Sequence, residues 1–188
     1  MNNFVCEAQA LDEPRGGVGT FVALALAVVH PASGVCTFAL AGAEPPLLLR
    51  RSRFAAAAGA AVTVTSVEEE GGWPLGLEAR AVYKPLRHTL ADGDLVLLAT
   101  DGLSEARRGR ELLGPERAAE LARASAERFS TLDETGRAIL EGARAFAGGP
   151  LQDDVCLLLA RRVAMPASPN AEASGAGPAG SGPVPLRG

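Results

Sequence analysis

An α+β fold, built mostly of antiparallel strands with one pair of helices, is what this sequence predicts. Three observations carry that expectation. Short apolar runs recur between Gly, Pro and Asp punctuation through the first hundred residues, a pattern of strands and turns. After Pro115 the apolar spacing changes from strand-like to helical, and it returns to a strand-like run at Val155–Ala160. With 188 residues, 47% of them hydrophobic, the chain can bury one sizeable core. The expected organisation is an irregular segment over 1–19, one domain over 20–162, and a flexible tail over 163–188.

Residues 1–19 show no clear period. Gly16-Gly17-Val18-Gly19-Thr20 lacks the lysine of a phosphate-binding loop and precedes a strand, so it is expected to be a plain loop. Phe21–Val29 and Val35–Leu40, separated by His30-Pro31-Ala32-Ser33-Gly34, form a hairpin by pattern. Leu47–Arg50 gives a third short strand and Val62–Thr65 a fourth, whereas Ala55–Ala61 is too small-sided to assign and Glu68–Gly72 is a solvated turn. Ala81–Leu90 alternates, with Val82, Leu86 and Leu90 on one face, and Pro85 confines it to a sheet edge. Ala91-Asp92-Gly93-Asp94 is expected to turn that strand back into the next.

That next run, Leu95–Ala99, is wholly apolar, too short for a helix and bracketed by Asp-Gly pairs. It reads as a strand buried on both faces. Pro115 and Glu116 open a helix that ends near Phe129. Thr131 and Glu134 form a capping box for a second helix, with Leu132, Ile139, Ala143 and Phe146 as its buried stripe, and Gly148-Gly149-Pro150 stops it. The tail is rich in Pro, Ala, Gly and Ser and cannot bury enough apolar surface to order itself.

Composition excludes several functions. A net charge of −4 gives no general attraction to nucleic acid or to an anionic membrane. The longest apolar run is half what a membrane span needs, and acidic residues stand where a secretory leader would be basic. The three cysteines, Cys6, Cys36 and Cys156, have no metal-ligand spacing. Their odd number fits a reducing cytoplasm, with Cys36 and Cys156 acting as small hydrophobes. His30 and His88 have no partner at catalytic spacing. The arginine clusters Arg50, Arg51, Arg53 and Arg107, Arg108, Arg110 are either solvated faces or contacts for an anionic phosphoprotein.

The chemistry rests on carboxylates. Asp101 follows the Leu95–Ala99 run and Asp153 precedes Val155–Ala160. If those strands are antiparallel neighbours, the end of one lies beside the start of the other. Two carboxylates meeting there would need a cation between them, and oxygen donors suit Mg²⁺ or Mn²⁺. Gly102 would let the chain turn sharply and leave room beside Asp101. The plainer alternatives are that Asp101-Gly102 is a hairpin turn and Asp153-Asp154 a strand cap.

The order of five blocks adds to this reading. Phe21-Val22-Ala23-Leu24, Ala41-Gly42 followed by Pro45-Pro46-Leu47-Leu48-Leu49, Gly72-Trp73-Pro74-Leu75-Gly76, the Thr100-Asp101-Gly102 stretch, and Gln152-Asp153-Asp154-Val155-Cys156-Leu157 resemble the C-terminal half of the PPM-type (type 2C) metal-dependent serine/threonine phosphatases. The stage II sporulation protein E branch is the most similar. The resemblance implies antiparallel sheets packed face to face with helices outside, here incomplete at the N-terminus. It implies Mn²⁺ or Mg²⁺ held by Asp101 and Asp153 as catalytic residues, with Gly102, Glu105 and Asp154 near the site. It further implies a cytoplasmic enzyme in which a metal-activated water hydrolyses phosphoserine or phosphothreonine on a signalling regulator of the anti-anti-sigma kind.

The sequence departs from that pattern in places. Ala23 replaces a common threonine, and Leu40 and Ala43 replace a common asparagine and histidine. The family's upstream Asp-x-x-Gly block has no counterpart before Phe21. These departures motivate a second expectation, a non-catalytic module that binds a signalling partner.

Overall fold

The computed structural model describes residues 1–12, 21–52, 61–67 and 72–163. The expectations for Gly16–Thr20, for most of Ala55–Ala61, for Glu68–Gly71 and for the tail beyond residue 163 fall outside them. The segment read as irregular instead opens with a helix, α1 (Asn2–Asp12). Its weak amphipathicity left no readable period. Asn2 anchors it: the side-chain amide donates to the Glu78 carbonyl at 2.9 Å, and its oxygen accepts from the Gly76 N–H at 2.9 Å.

Seven strands form two antiparallel sheets. In the first, β1 (Leu24–His30) pairs with β2 (Val35–Ala41), which pairs with β5 (Leu86–Thr89). The second runs β4 (Val62–Ser66), β3 (Leu47–Arg51), β6 (Leu95–Ala99), β9 (Leu157–Arg161). A small hairpin, β7 (Arg107–Arg108) and β8 (Glu111–Leu112), stands apart. Helices α2 (Gly114–Arg128) and α3 (Leu132–Ala147) complete the described residues.

The expected turn from β5 directly into β6 is corrected. β5 pairs with β2, whereas β6 pairs with β3 and β9, so Ala91–Asp94 carries the chain from one sheet to the other. The residues of this connection are held from both sides. Asp94 is buried, and its carboxylate accepts from the Ala91 N–H at 2.8 Å and the Arg51 N–H at 3.3 Å. Arg162 donates to the Leu90 carbonyl at 2.7 Å and pairs with Asp92 at 3.2 Å. Gly93 has φ of +93°, which a side-chain-bearing residue adopts only under strain. The expected strand also starts later than Ala81: Val82 is exposed and only Leu86–Thr89 pair.

Two apolar compartments share the second sheet. One lies between the sheets and holds Cys36, Phe38, Leu48, Val67, Leu90 and Val96. The other lies between the second sheet and the helices, where Leu49, Leu95, Leu97, Ala122, Ile139 and Ala143 pack. Alternate residues of β3 and β6 point to opposite compartments, which is why both strands read as continuous apolar runs. The stripe expected on α3 is the one found: Ile139 and Ala143 are buried, with Leu132 and Phe146 partly so. Thr131 caps α3 by accepting from the Glu134 N–H while its hydroxyl meets the Glu134 carboxylate, and Gly148 closes the helix in the left-handed conformation.

In the first cluster, Arg51 serves the fold. Arg51 donates to the Ala126 carbonyl at 2.7 Å and the Phe129 carbonyl at 3.3 Å, filling acceptors that the end of α2 leaves open. Arg161 reaches the Ser130 carbonyl. Arg51 is therefore not a free contact for an anionic partner, and Arg53 lies outside the described residues.

Candidate active site at the ends of β6 and β9

β6 and β9 are antiparallel neighbours, with Ala99 opposite Leu157. The segment after one therefore runs beside the segment before the other, as the sequence expectation required. Thr100 continues the pairing beyond the strands. Its N–H donates to the Cys156 carbonyl at 3.1 Å, its hydroxyl donates to the Asp154 carbonyl at 3.0 Å and accepts from the Cys156 N–H at 3.0 Å. One threonine side chain thus fastens the Asp101 turn to the loop that carries Asp153 and Asp154.

Residues 101–105 make a tight turn, closed by the Glu105 N–H donating to the Asp101 carbonyl at 2.8 Å and the Leu103 N–H to the Thr100 carbonyl at 3.2 Å. This is not the hairpin of the plainer alternative, because β6 does not pair with the strand that follows. Gly102 lies within that turn, as expected, and has a second role. Its φ is not positive. A Cβ there would lie 2.5 Å from the Asp154 carbonyl oxygen and 3.2 Å from Val155 Cγ2. The glycine allows two backbones to approach, and the space beside it is occupied by the Asp153–Val155 loop.

Asp101 and Asp153 are both exposed at this end of the sandwich. The Asp153 carboxylate accepts from the Asp154 N–H at 2.8 Å, which orients it along its own loop. A cavity of about 400 Å³ opens next to Asp101 between the two sheets. Asp101, Thr100 and Cys156 line it on one side and Ala23, Gly42 and Glu44 on the other, whereas Asp153, Asp154 and Glu105 stand outside its lining.

Glu44 is the residue that the sequence reading missed. Its carboxylate accepts from Ser104 Oγ at 3.1 Å, and the same hydroxyl lies 3.0 Å from the Asp101 carbonyl, so Ser104 ties a carboxylate from the β2–β3 connection to the Asp101 turn. The available signal was its place directly after Ala41-Gly42-Ala43.

The donor set can be weighed against a divalent cation. Among the described residues no three His, Cys, Asp or Glu side chains gather into a group able to hold a metal. Mg²⁺ and Mn²⁺ prefer about six oxygens, but Mg²⁺ is commonly held by one or two carboxylates with waters and substrate phosphate completing the shell. By donor chemistry alone, Asp101 and Asp153 supply the oxygen ligands that one hydrated ion of that kind uses and too few for a two-ion cage.

Cys156 corrects another expectation. It is exposed on the cavity wall instead of being a buried hydrophobe, whereas Cys36 is fully buried and burial raises its thiol pKa. A thiol-specific reagent is therefore expected to modify Cys156 in the folded protein and to reach Cys36 only on unfolding. Mass spectrometry of the labelled chain before and after denaturation checks this.

Arg108 of the second arginine cluster and Arg117 of α2 both hydrogen-bond Glu111, at 2.8 and 2.5 Å, and both stack on the Phe146 ring. Those two guanidinium groups hold the Glu111 carboxyl below its usual pKa. The hairpin that carries Arg108 was not foreseen from sequence, since two-residue strands are too short to show a period.

A sandwich of antiparallel sheets with a helical layer and acidic residues at one end defines the class: an α+β domain of the PP2C-like phosphatase architecture. The stage II sporulation protein E (SpoIIE) family model matches residues 2–163, and the chain belongs to that family. Among solved structures, the RsbU and RsbW domains of Rv1364c from Mycobacterium tuberculosis are 29% identical. The match covers 86% of this chain and 43% of that one, with a TM-score of 0.63. The Mn-presoaked SpoIIE phosphatase domain from Bacillus subtilis is 17% identical over 87% of this chain and 65% of that one, with a TM-score of 0.56. The SiaA-PP2C domain of Pseudomonas aeruginosa is 21% identical over 81% and 56%, with a TM-score of 0.61. The chain thus spans less than two thirds of the length of each of these structures. No curated protein matches it.

Proposed function

We propose that this chain is a divalent-metal-dependent protein serine/threonine phosphatase acting on a phosphorylated signalling regulator of the anti-anti-sigma kind. The observation that carries the reading is the junction of β6 and β9, where Thr100 fastens the Asp101 turn to the Asp153 loop beside an open cavity. Family membership and the phosphatase domains among its structural relatives support the same class.

In this reading Asp101 and Asp153 hold one hydrated Mn²⁺ or Mg²⁺ ion, with Asp154 and Glu105 near it. When bound, such an ion neutralises phosphoryl charge and makes water more acidic. The chain's own residues do the rest. Asp101 and Asp153 supply the negative charge that draws the cation to this end of the sandwich. Thr100 and Gly102 fix the spacing of the two carboxylate-bearing segments. Ser104 holds Glu44 at the cavity wall, where its carboxylate can accept a proton from water or from a bound hydroxyl. The regulator's phosphorylated side chain enters between the sheets.

The test is phosphate release from a phosphoserine peptide with and without Mn²⁺. Activity that Mn²⁺ restores after chelation is expected, with Asp101→Ala and Asp153→Ala each lowering it by about 100-fold or more, the upper end of what loss of a group merely supporting a metal ligand costs. Full activity in either folded variant would remove that residue from the role.

A second reading is favoured by the absence, among the described residues, of a three-donor group. In it the chain keeps the phosphatase surface and binds a signalling partner without hydrolysis. Calorimetric titration with Mn²⁺ separates the two, since site-specific binding lost in Asp101→Ala belongs only to the first.

A further inference from the structure

The candidate site is an acidic place to receive an anion. Glu44 and Asp101 line its cavity, and no Lys, Arg or His is among the lining residues. Glu105, Asp153 and Asp154 are exposed on the Asp101 turn and on the loop fastened to it. The whole chain carries a net charge of −4. A phosphorylated partner with further carboxylates would be repelled here unless positive charge stood close by.

Along the chain that charge comes next, on the β7–β8 hairpin. Its ladder grows directly out of the Asp101 turn. The Gly114 N–H donates to the Ser104 carbonyl and the Leu113 N–H to the Ala106 carbonyl, each at 2.8 Å, and beyond them Arg107 pairs with Leu112 and Arg108 with Glu111. Ala106 and Leu113, at the root, are buried in the helical compartment. One face of the hairpin is fixed as well. Arg108 holds one oxygen of the Glu111 carboxylate, Arg117 of α2 holds the other, and both guanidinium groups stack on Phe146 of α3.

Alternate residues of a strand point to opposite faces, so Arg107 and its partner Leu112 point away from that lock, and both are exposed. Arg110 is exposed at the tip, beside Gly109 with its φ of +65°. Among the described residues neither Arg107 nor Arg110 takes part in an ion pair or a side-chain hydrogen bond. The buried root and the locked face hold the backbone that carries these two arginines, and a preorganised element loses little freedom on binding. Guanidinium groups take carboxylates through charge-assisted, often bidentate hydrogen bonds. Arg108 has no such capacity left, because Glu111 already occupies it.

We infer that Arg107 and Arg110 dock the phosphorylated regulator through an acidic segment beside its phosphorylated residue, so that the site prefers phosphopeptides with carboxylates on their flanks. The inference rests on the phosphatase reading of the site and adds which proteins that site accepts.

The experiment compares two phosphoserine peptides in the presence of Mn²⁺, one with glutamates on both sides of the phosphoserine and one with glutamines in their place. The parent is expected to show a kcat/KM about tenfold higher for the glutamate peptide, through a lower KM, which is the scale of two exposed ion pairs. Added salt is expected to shrink that advantage. In Arg107→Gln/Arg110→Gln the advantage is expected to vanish, with the far-ultraviolet spectrum of the parent, since both positions are exposed. Arg80→Gln/Arg137→Gln removes the same charge from exposed positions elsewhere and is expected to keep the advantage. A parent that hydrolyses both peptides equally well, or an equal loss of preference in the two double variants, overturns the inference and leaves the phosphatase reading standing.

If neither peptide is hydrolysed, the reading of the site fails and docking is decided by fluorescence anisotropy of the same peptides, labelled. The parent must then bind the glutamate peptide more tightly, and Arg107→Gln/Arg110→Gln must lose that difference. No difference in the parent overturns the inference, as does tighter binding of a single-stranded oligodeoxynucleotide than of the glutamate peptide.

Discussion

A chain carrying Gly102→Ala is expected to lose about 1–3 kcal/mol of stability, the usual cost of forcing an extra methyl into a packed site. The methyl would meet the Asp154 carbonyl oxygen at 2.5 Å and the Asp154 carbonyl carbon at 3.1 Å. These are backbone atoms, so relief requires the whole Asp153–Val155 loop to move away from the Asp101 turn. The Thr100 hydroxyl, which donates to that same carbonyl, would lose its partner in the process. If the proposed chemistry is right, Mn²⁺-dependent hydrolysis falls further than stability does, because the two carboxylate-bearing segments separate while the sheets remain. Gly149→Ala is the control, since nothing lies within 4 Å of a Cβ there and its φ is not positive. Thermal melts of both variants, read beside their activities, decide the matter. Equal melting temperatures would show that the 102–154 contact does not hold the junction.

Phe38→Ala is expected to have the largest effect on folding, about 3–5 kcal/mol. Phe38 is fully buried between the sheets among Cys36, Leu48, Val67, Leu90 and Val96, and its ring meets His88 edge-on at 6.1 Å. A domain of this size has a total stability of roughly 5–15 kcal/mol, so one side chain accounts for about a fifth or more of the margin. Denaturant unfolding measures the loss. A cost below about 1.5 kcal/mol, in the range of a tolerated swap, would mean that the compartment collapses around the gap.

Much of the architecture was legible in the residues. Apart from the strand expected from Ala81, which begins only at Leu86, each strand with a run of four or more apolar residues lies within about three positions of its pattern, and the Thr131–Glu134 box and the Gly148 stop stand where the pattern put them. What failed did so for physical reasons. The Ala91–Asp94 turn carries hairpin residues, but the burial of Asp94 and the grip of Arg162 on Leu90 send β6 into the other sheet, and no local pattern contains that information. Helix α1 has too little periodicity to be read.

At the candidate site, adjacency of β6 and β9 stood in the sequence only as a condition, which the register meets, whereas the contact Glu44 makes left no sign there, because it reaches Ser104 from sixty residues away. Gly102 was legible as part of a turn, but its close approach to Asp154 was not: turn propensity is visible in a sequence, and the closeness of a distant backbone is not.

The second sheet serves as a common wall to both apolar compartments, and the candidate site sits on its rim. A side chain trimmed from the helical layer, such as Ile139, therefore slackens the same ribbon that a side chain trimmed from between the sheets would slacken. Substitutions far from any carboxylate, on either side of that wall, reach the two acidic segments through one shared backbone. A search for residues that tune this site would begin along β3 and β6 before it turned to the surface around the cavity.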